Sequence, residues 1–280
     1  MIPDVNDTVE NGMYDGGAGS ELQGNVVGNI RRLAGIESPQ LGNRRDVLVY
    51  LPPSYHSSGR HYPVLYMQDG QNLFDATTSF AGEWLVDETM ERVSGEGLEA
   101  IVVAIPNSGR QRADEYSPFH DERVGGGRGE DYLSFLVDTL KPRIDAEFRT
   151  RRERGATGIM GSSMGGLISL YALLRRPDTF GFAGSMSPSL WFGRGAMFGV
   201  ASGISQWDGR LYLDTGTLEG RGHVRQIREM VLLLRQRAIH PRRQLRYVEE
   251  RGAHHNEAAW ARRFEPALRW LLPKRTETHW

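Results

Sequence analysis

Five residues, Gly161-Ser162-Ser163-Met164-Gly165, stand between an apolar strand-like segment, Thr157–Met160, and the helix-like run Leu167-Ile168-Ser169-Leu170-Tyr171-Ala172-Leu173-Leu174. A strand that becomes a helix over so short a stretch must turn sharply, with Ser163 in a strained conformation at the apex. The residues two before and two after it must then lack side chains so that the two backbones can pass, and Gly161 and Gly165 meet that need. In a chain with 34 glycines the G-x-S-x-G pattern alone is weak. The strand–turn–helix setting gives it weight, because it exposes a serine hydroxyl beside the N-terminus of a helix. There the Met164 N–H and the helix dipole can face a developing oxyanion.

The rest of the chain alternates in the same way. Val47–Leu51, Pro63–Met67, Ala100–Ile105, Phe182–Met186, Leu211–Asp214 and Leu245–Val248 read as further strands. Helical spacing is seen near Trp84–Val93, over Tyr132–Phe148, Val224–Ala238 and Glu257–Leu272, and residues 106–129 read as a long glycine-rich loop. Alternating strands and helices with short connections predict an α/β fold with a mostly parallel central sheet and helices on both faces. No repeat or linker divides the 280 residues, so the expected organisation is an acidic, flexible tail over 1–24 and a single catalytic domain over 25–280.

Composition narrows the chemistry. The absence of cysteine excludes disulfides, a thiol nucleophile and cysteine-ligated metal. No apolar run is long enough for a membrane span, and residues 1–7 have no signal-peptide pattern, so the chain reads as cytoplasmic with no membrane partner. The arginine clusters at 149–154 and 242–246 lack interleaved aromatics and read as solvated surface, so no nucleic-acid partner is expected. His120, Asp121 and Glu122 are adjacent in sequence and cannot converge on one ion; no metal or other cofactor is expected.

A serine nucleophile needs a base, and in α/β-hydrolases the chain order is serine, acid, histidine, each beyond the carboxyl end of a strand. Leu211–Glu219 offers two acids, Asp214 and Glu219. Gly252–Glu257 offers two histidines, His254 and His255, after the last strand and before the last helix.

Several blocks, in order, resemble one family. They are Tyr50-Leu51-Pro52-Pro53-Ser54-Tyr55, Tyr62–Asp75 with its Asp69-Gly70-Gln71, Asp114–Pro118, the nucleophile elbow Gly161–Gly165, Ser187-Pro188-Ser189-Leu190-Trp191-Phe192, Gly216-Thr217-Leu218-Glu219 and His255-Asn256-Glu257-Ala258-Ala259-Trp260. Over residues 25–272 the chain is similar to the putative-esterase family of α/β-hydrolases, which holds the enterochelin and bacillibactin esterases and is related to feruloyl and acetylxylan esterases. The resemblance implies a serine carboxylic-ester hydrolase working through an acyl-enzyme. It places the acid at Glu219, after the Gly-Thr pair, the base at His255, before Asn-Glu, and the second oxyanion N–H at Gln71, with Gly70 the neighbouring candidate. Some siderophore esterases of this kind work with a serine–histidine pair alone, so the resemblance does not make Glu219 indispensable.

The substrate side is less constrained. Trp191, Phe192 and Trp84 are candidates for walling an aromatic-acyl or catecholate site as much as for core. Arg110 and Arg112 are candidates for meeting an anionic substrate or for plain surface. The expected partner is a small ester, small or aromatic in its acyl part; the sequence leaves the oligomeric state, a homodimer included, unset. Two other function classes share the pattern. An acyltransferase would use the same triad with an acceptor alcohol, and a non-catalytic binding homologue would use the same fold.

Overall fold

The computed structural model describes residues 25–272; the acidic segment 1–24 lies outside the described residues. Eight strands form one twisted sheet: β1 (Asn29–Ser38), β2 (Asn43–Leu51), β3 (Val64–Gln68), β4 (Ile101–Ile105), β5 (Thr157–Ser162), β6 (Phe182–Met186), β7 (Arg210–Gly216) and β8 (Leu245–Glu250). Their spatial order is β1-β2-β4-β3-β5-β6-β7-β8. The β1–β2 and β2–β4 pairs are antiparallel and the remaining pairs are parallel. The expected α/β-hydrolase architecture is present.

Apolar residues at successive strand positions face opposite sides, which gives two cores. Val64 and Tyr66 of β3 with Leu211 and Leu213 of β7 belong to one, while Leu65, Met67 and Tyr212 belong to the other. Six longer helices cover the sheet: α1 (Val86–Ser94), α2, α3 (Met164–Arg175), α4 (Phe192–Gly203, kinked at Gly193–Gly195), α5 (Arg221–Arg237) and α6 (Glu257–Leu271). In α2, Gly129–Ser134, a π-helical stretch Phe135–Leu140 and Lys141–Glu147 run on as one helix. Leu136, Leu167 and Ile227 bring α2, α3 and α5 to the first core. Met90, Trp260 and Phe264 bring α1 and α6 to the second. Among the described residues no helix is long and apolar enough to cross a membrane.

Helix α4, strand β1 and the structure within 106–129 are absent from the sequence reading. β1 is an edge strand with a register shift between Leu33 and Ile36, and of its residues only Ile36 and Ser38 are buried, so its pattern carries no clean alternation. The segment 106–129, expected as a loop, contains the short helical turns Gly109–Gln111 and Arg112–Glu115 and a small ladder between His120–Asp121 and Gly125–Gly126. Asp114 closes that ladder by accepting the Gly126 N–H at 2.7 Å.

Candidate active site

The turn after β5 holds Ser163 at φ 55°, ψ −118°, a conformation that costs on the order of 1–3 kcal/mol for a residue other than glycine. The surrounding structure enforces it. The Ser163 N–H donates to the Met186 carbonyl at 2.9 Å, and the Leu167 N–H donates to the Ser163 carbonyl at 3.0 Å. A Cβ on Gly161 would lie 2.9 Å from the Gly165 carbonyl carbon, so the strand and helix backbones meet there without room for a side chain. Met164 is the first residue of α3, and its N–H therefore has no carbonyl partner within the helix.

His255 lies between β8 and α6. Its Nε2 is 3.0 Å from Ser163 Oγ and its Nδ1 is 2.9 Å from Glu219 Oε2. The structure thus brings Ser163, His255 and Glu219 into one hydrogen-bonded chain across the carboxyl ends of β5, β7 and β8. His254 is exposed. Asp214 is fully buried within β7, where its Oδ1 accepts the Ser187 N–H at 3.1 Å; burial pushes its carboxyl up to about 7. Its place is beneath the site.

The Glu219 carboxylate is enclosed. Oε1 accepts from the Gly216 N–H at 2.6 Å and the Ser187 hydroxyl at 2.7 Å, and Oε2 faces His255 and also His223 Nε2, at 3.0 Å. Burial alone would raise its pKa. The two imidazoles, the Ser187 hydroxyl and the Gly216 amide outweigh burial and hold it well below the usual carboxylate range. Glu219 therefore stays ionised near neutrality.

Helix α6 supports this chain of side chains from behind. Trp260 donates Nε1–H to Ser187 Oγ at 3.0 Å and packs edge-on against the His255 ring, with centroids 4.9 Å apart. Arg263, buried one turn further on, donates to the same hydroxyl at 3.1 Å and lies 3.4 Å from Asp214 and 3.5 Å from Glu219. Neither Arg263 nor His223 stands out in the sequence, because both sit among arginine-rich helix residues that read as solvated.

On the other side of Ser163, β3 is followed by Asp69, which has φ 53°. Arg112 clamps the Asp69 carboxylate with two contacts of 2.7 and 2.8 Å, and Asn107 donates to it at 2.7 Å. Arg112 is thus committed to the protein's own carboxylate. Gly70 packs directly on β4, where a Cβ would lie 2.5 Å from the Ile105 nitrogen. Gln71 follows in the same short turn, and its side-chain oxygen accepts the Asn107 N–H at 3.2 Å. Arg110 is exposed in the segment beyond. Of the aromatic candidates, Trp191 is 46% exposed, whereas Phe192 and Trp84 are buried, Trp84 against Trp260 and Phe264. Ser189, two residues before Trp191, places its Oγ 3.1 Å from Ser163 Oγ.

The family model described as "Putative esterase" matches residues 38–271. The chain belongs to this family. The esterase is 30% identical over 251 residues to the uncharacterized protein YbbA of Bacillus subtilis, covering 85% of this chain and 96% of YbbA. It is 26% identical over 152 residues to the siderophore enterobactin esterase of Emericella nidulans, covering 49% of each chain, so it spans about half the length of that relative. Among solved structures, the BES protein of Bacillus cereus superposes with a TM-score of 0.71 at 19% identity, covering 92% of this chain and all of that one. The enterobactin esterase FES of Shigella flexneri superposes with 0.70 at 18% identity, covering 88% and 59%. Family membership makes the protein a carboxylic ester hydrolase, and the structural likeness gives it the α/β-hydrolase fold.

Proposed function

We propose that the esterase cleaves a small or aromatic ester through a covalent acyl-serine. The observation that carries this reading is the unbroken relay from Ser163 Oγ through His255 to Glu219, with links of 3.0 and 2.9 Å. His255 Nε2 takes the Ser163 proton as Oγ attacks the ester carbonyl, then gives it to the departing alkoxide. The oxyanion is held by the N–H groups of Met164 and Gln71, each worth about 2.7–4 kcal/mol in such sites. Glu219 fixes the proton on His255 Nδ1 and stabilises the imidazolium. Water repeats the sequence on the acyl-enzyme. Asp69 and Arg112 act on the oxyanion side by fixing the backbone that leads into Gly70 and Gln71.

An aromatic or catecholate acyl group is supported by the half-exposed Trp191, two residues after Ser189, and by the siderophore in the name of the Emericella relative. The test is hydrolysis of p-nitrophenyl esters from acetyl to dodecanoyl by the wild type and Ser163→Ala in parallel. A rate that falls to background in the variant supports the scheme, and equal rates refute it. Repeating the assay with an added alcohol separates hydrolysis from acyl transfer.

A further inference from the structure

Glu219 carries one more imidazole than the relay uses. His223, in the first turn of α5, brings Nε2 to 3.0 Å from Glu219 Oε2, the same oxygen that lies 2.9 Å from His255 Nδ1. The two rings stand nearly perpendicular, at 83°, with centroids 5.6 Å apart. One oxygen and two nitrogens thus converge within 4.8 Å of one another.

We propose that Glu219, His223 and His255 form a Zn²⁺ site that switches the esterase off. Four observations carry it. First, imidazole and carboxylate are ligands that zinc favours, at about 2.0–2.2 Å, which makes the edges of a tetrahedral site about 3.3 Å. The observed N···O edges of 2.9 and 3.0 Å are a few tenths of an ångström from that value. Second, Nε2 of His223 is buried and makes no well-aligned hydrogen bond although Oε2 is close. Third, Oε1 is fixed by Gly216 and Ser187, which leaves Oε2 oriented as a ligand before any ion arrives. Fourth, the His255 side chain, 37% exposed, opens one edge of the cluster to solvent above the enclosed Glu219 carboxylate and His223 Nε2. The neighbouring cation Arg263 approaches Glu219 at Oε1, 3.5 Å away, rather than at Oε2, and is shared with Asp214 at 3.4 Å and Glu250 at 3.6 Å.

The inhibition follows from proton placement. In the working relay His255 carries its proton on Nδ1 and accepts with Nε2. Zinc takes the Nδ1 lone pair, so that proton moves through solvent to Nε2, and His223 shifts its own proton from Nε2 to Nδ1. Two N–Zn bonds and one O–Zn bond form, zinc loses bound water, and no net proton is released. His255 Nε2 is now a donor and cannot take the Ser163 proton.

Zinc binding can be measured without turnover, so it stands apart from the esterase reading, on which only the loss of activity depends. Ser163→Ala, which keeps all three ligands, is titrated with Zn²⁺ against a chromogenic chelator. One site of micromolar or tighter affinity is expected, weakened at least tenfold by His223→Gln or, should that variant fail to fold by circular dichroism, by His223→Asn. His254→Gln leaves the affinity unchanged. In the active protein, Zn²⁺ stops p-nitrophenyl acetate hydrolysis over the same range, a chelator restores it, and His223→Gln requires at least tenfold more zinc. Equal zinc affinity with and without His223, or no binding at 100 µM Zn²⁺ (roughly a hundredfold above the expected range), overturns the proposal. Histidine-dependent binding by a protein with no esterase activity would leave the zinc site standing and refute the catalytic reading instead.

Discussion

Replacing Glu219 by glutamine keeps the shape of the side chain and removes its charge. Two donors, the Gly216 N–H and the Ser187 hydroxyl, converge on Oε1, and His255 Nδ1 meets Oε2. A glutamine has one carbonyl oxygen to offer. Placed toward Gly216 and Ser187, it turns its NH₂ toward His255, where a donor faces a donor unless the imidazole moves its proton to Nε2. Placed toward His255, it leaves the NH₂ against the Gly216 N–H. The charge term adds to this conflict. At an effective dielectric near 20, a carboxylate and an imidazolium about 3 Å apart attract by about 5 kcal/mol. Because the His255 side chain is 37% exposed, that figure is discounted to about 3 kcal/mol for solvent screening. With about 1–2 kcal/mol for the wrong tautomer or the unmade hydrogen bond, the barrier rises by about 4–5 kcal/mol, so kcat/KM falls about a thousandfold or somewhat more. The assay is steady-state hydrolysis of p-nitrophenyl acetate by wild type and Glu219→Gln, both shown to be folded by circular dichroism. A folded variant within tenfold of the wild type would refute the reasoning and make Ser163 and His255 a sufficient pair.

Three other outcomes are expected. Arg263→Met leaves the buried Asp214 and Glu219 without their guanidinium and costs about 3–5 kcal/mol, seen as a melting temperature about 10 °C lower; an unchanged melting temperature would show the arginine to be dispensable. Gly166→Ala drives a methyl to 2.7 Å from the Met186 carbonyl oxygen, where α3 crosses β6. About 1–3 kcal/mol of stability is lost, and a neutral result in chemical denaturation would contradict the close approach. Asp87 is fully buried at the start of α1, and burial, then its contact with Glu88, raises its carboxyl pKa. With the folded pKa above the unfolded value, the stability linked to its proton is complete below about pH 4 and is lost as pH rises through the folded value. Asp87→Asn therefore loses less melting temperature than the wild type between pH 6 and pH 9; parallel losses would exclude this carboxyl as the cause.

Much of this protein is legible in its sequence because its central strands are short, apolar and punctuated. The elbow is visible because two glycines are required where the backbones of β5 and α3 meet. Glu219 and His255 are visible by their place after a strand and by the family blocks around them, which single them out from Asp214 and His254. What escapes is whatever depends on which face of a helix turns inward. Arg263 and His223 lie in helices crowded with arginine, and only packing shows that Arg263 is buried and that His223 points at the acid. The same blindness affects the aromatics, since Trp191 and Phe192 are adjacent yet one is half exposed and the other is core. β1 escapes for a different reason: an edge strand is held by backbone hydrogen bonds to β2, which leave no alternation to read.

Helix α6 touches the site at one turn after another. Asn256 caps it by accepting the Ala259 N–H at 3.0 Å, Trp260 backs His255 and holds Ser187, and Arg263 reaches Ser187 and Asp214. These groups follow β8, the last strand of the sheet, in the chain. A nascent chain can form β3, β5 and β6 with Ser163 already in its turn, yet the His255 ring lacks the backing of Trp260 until residues 256–263 have left the ribosome and docked. On the proposed relay, ester cleavage then waits for α6, however early the sheet strands before it pair. A chain released before residue 260 would carry the shaped Ser163 turn with no indole behind His255.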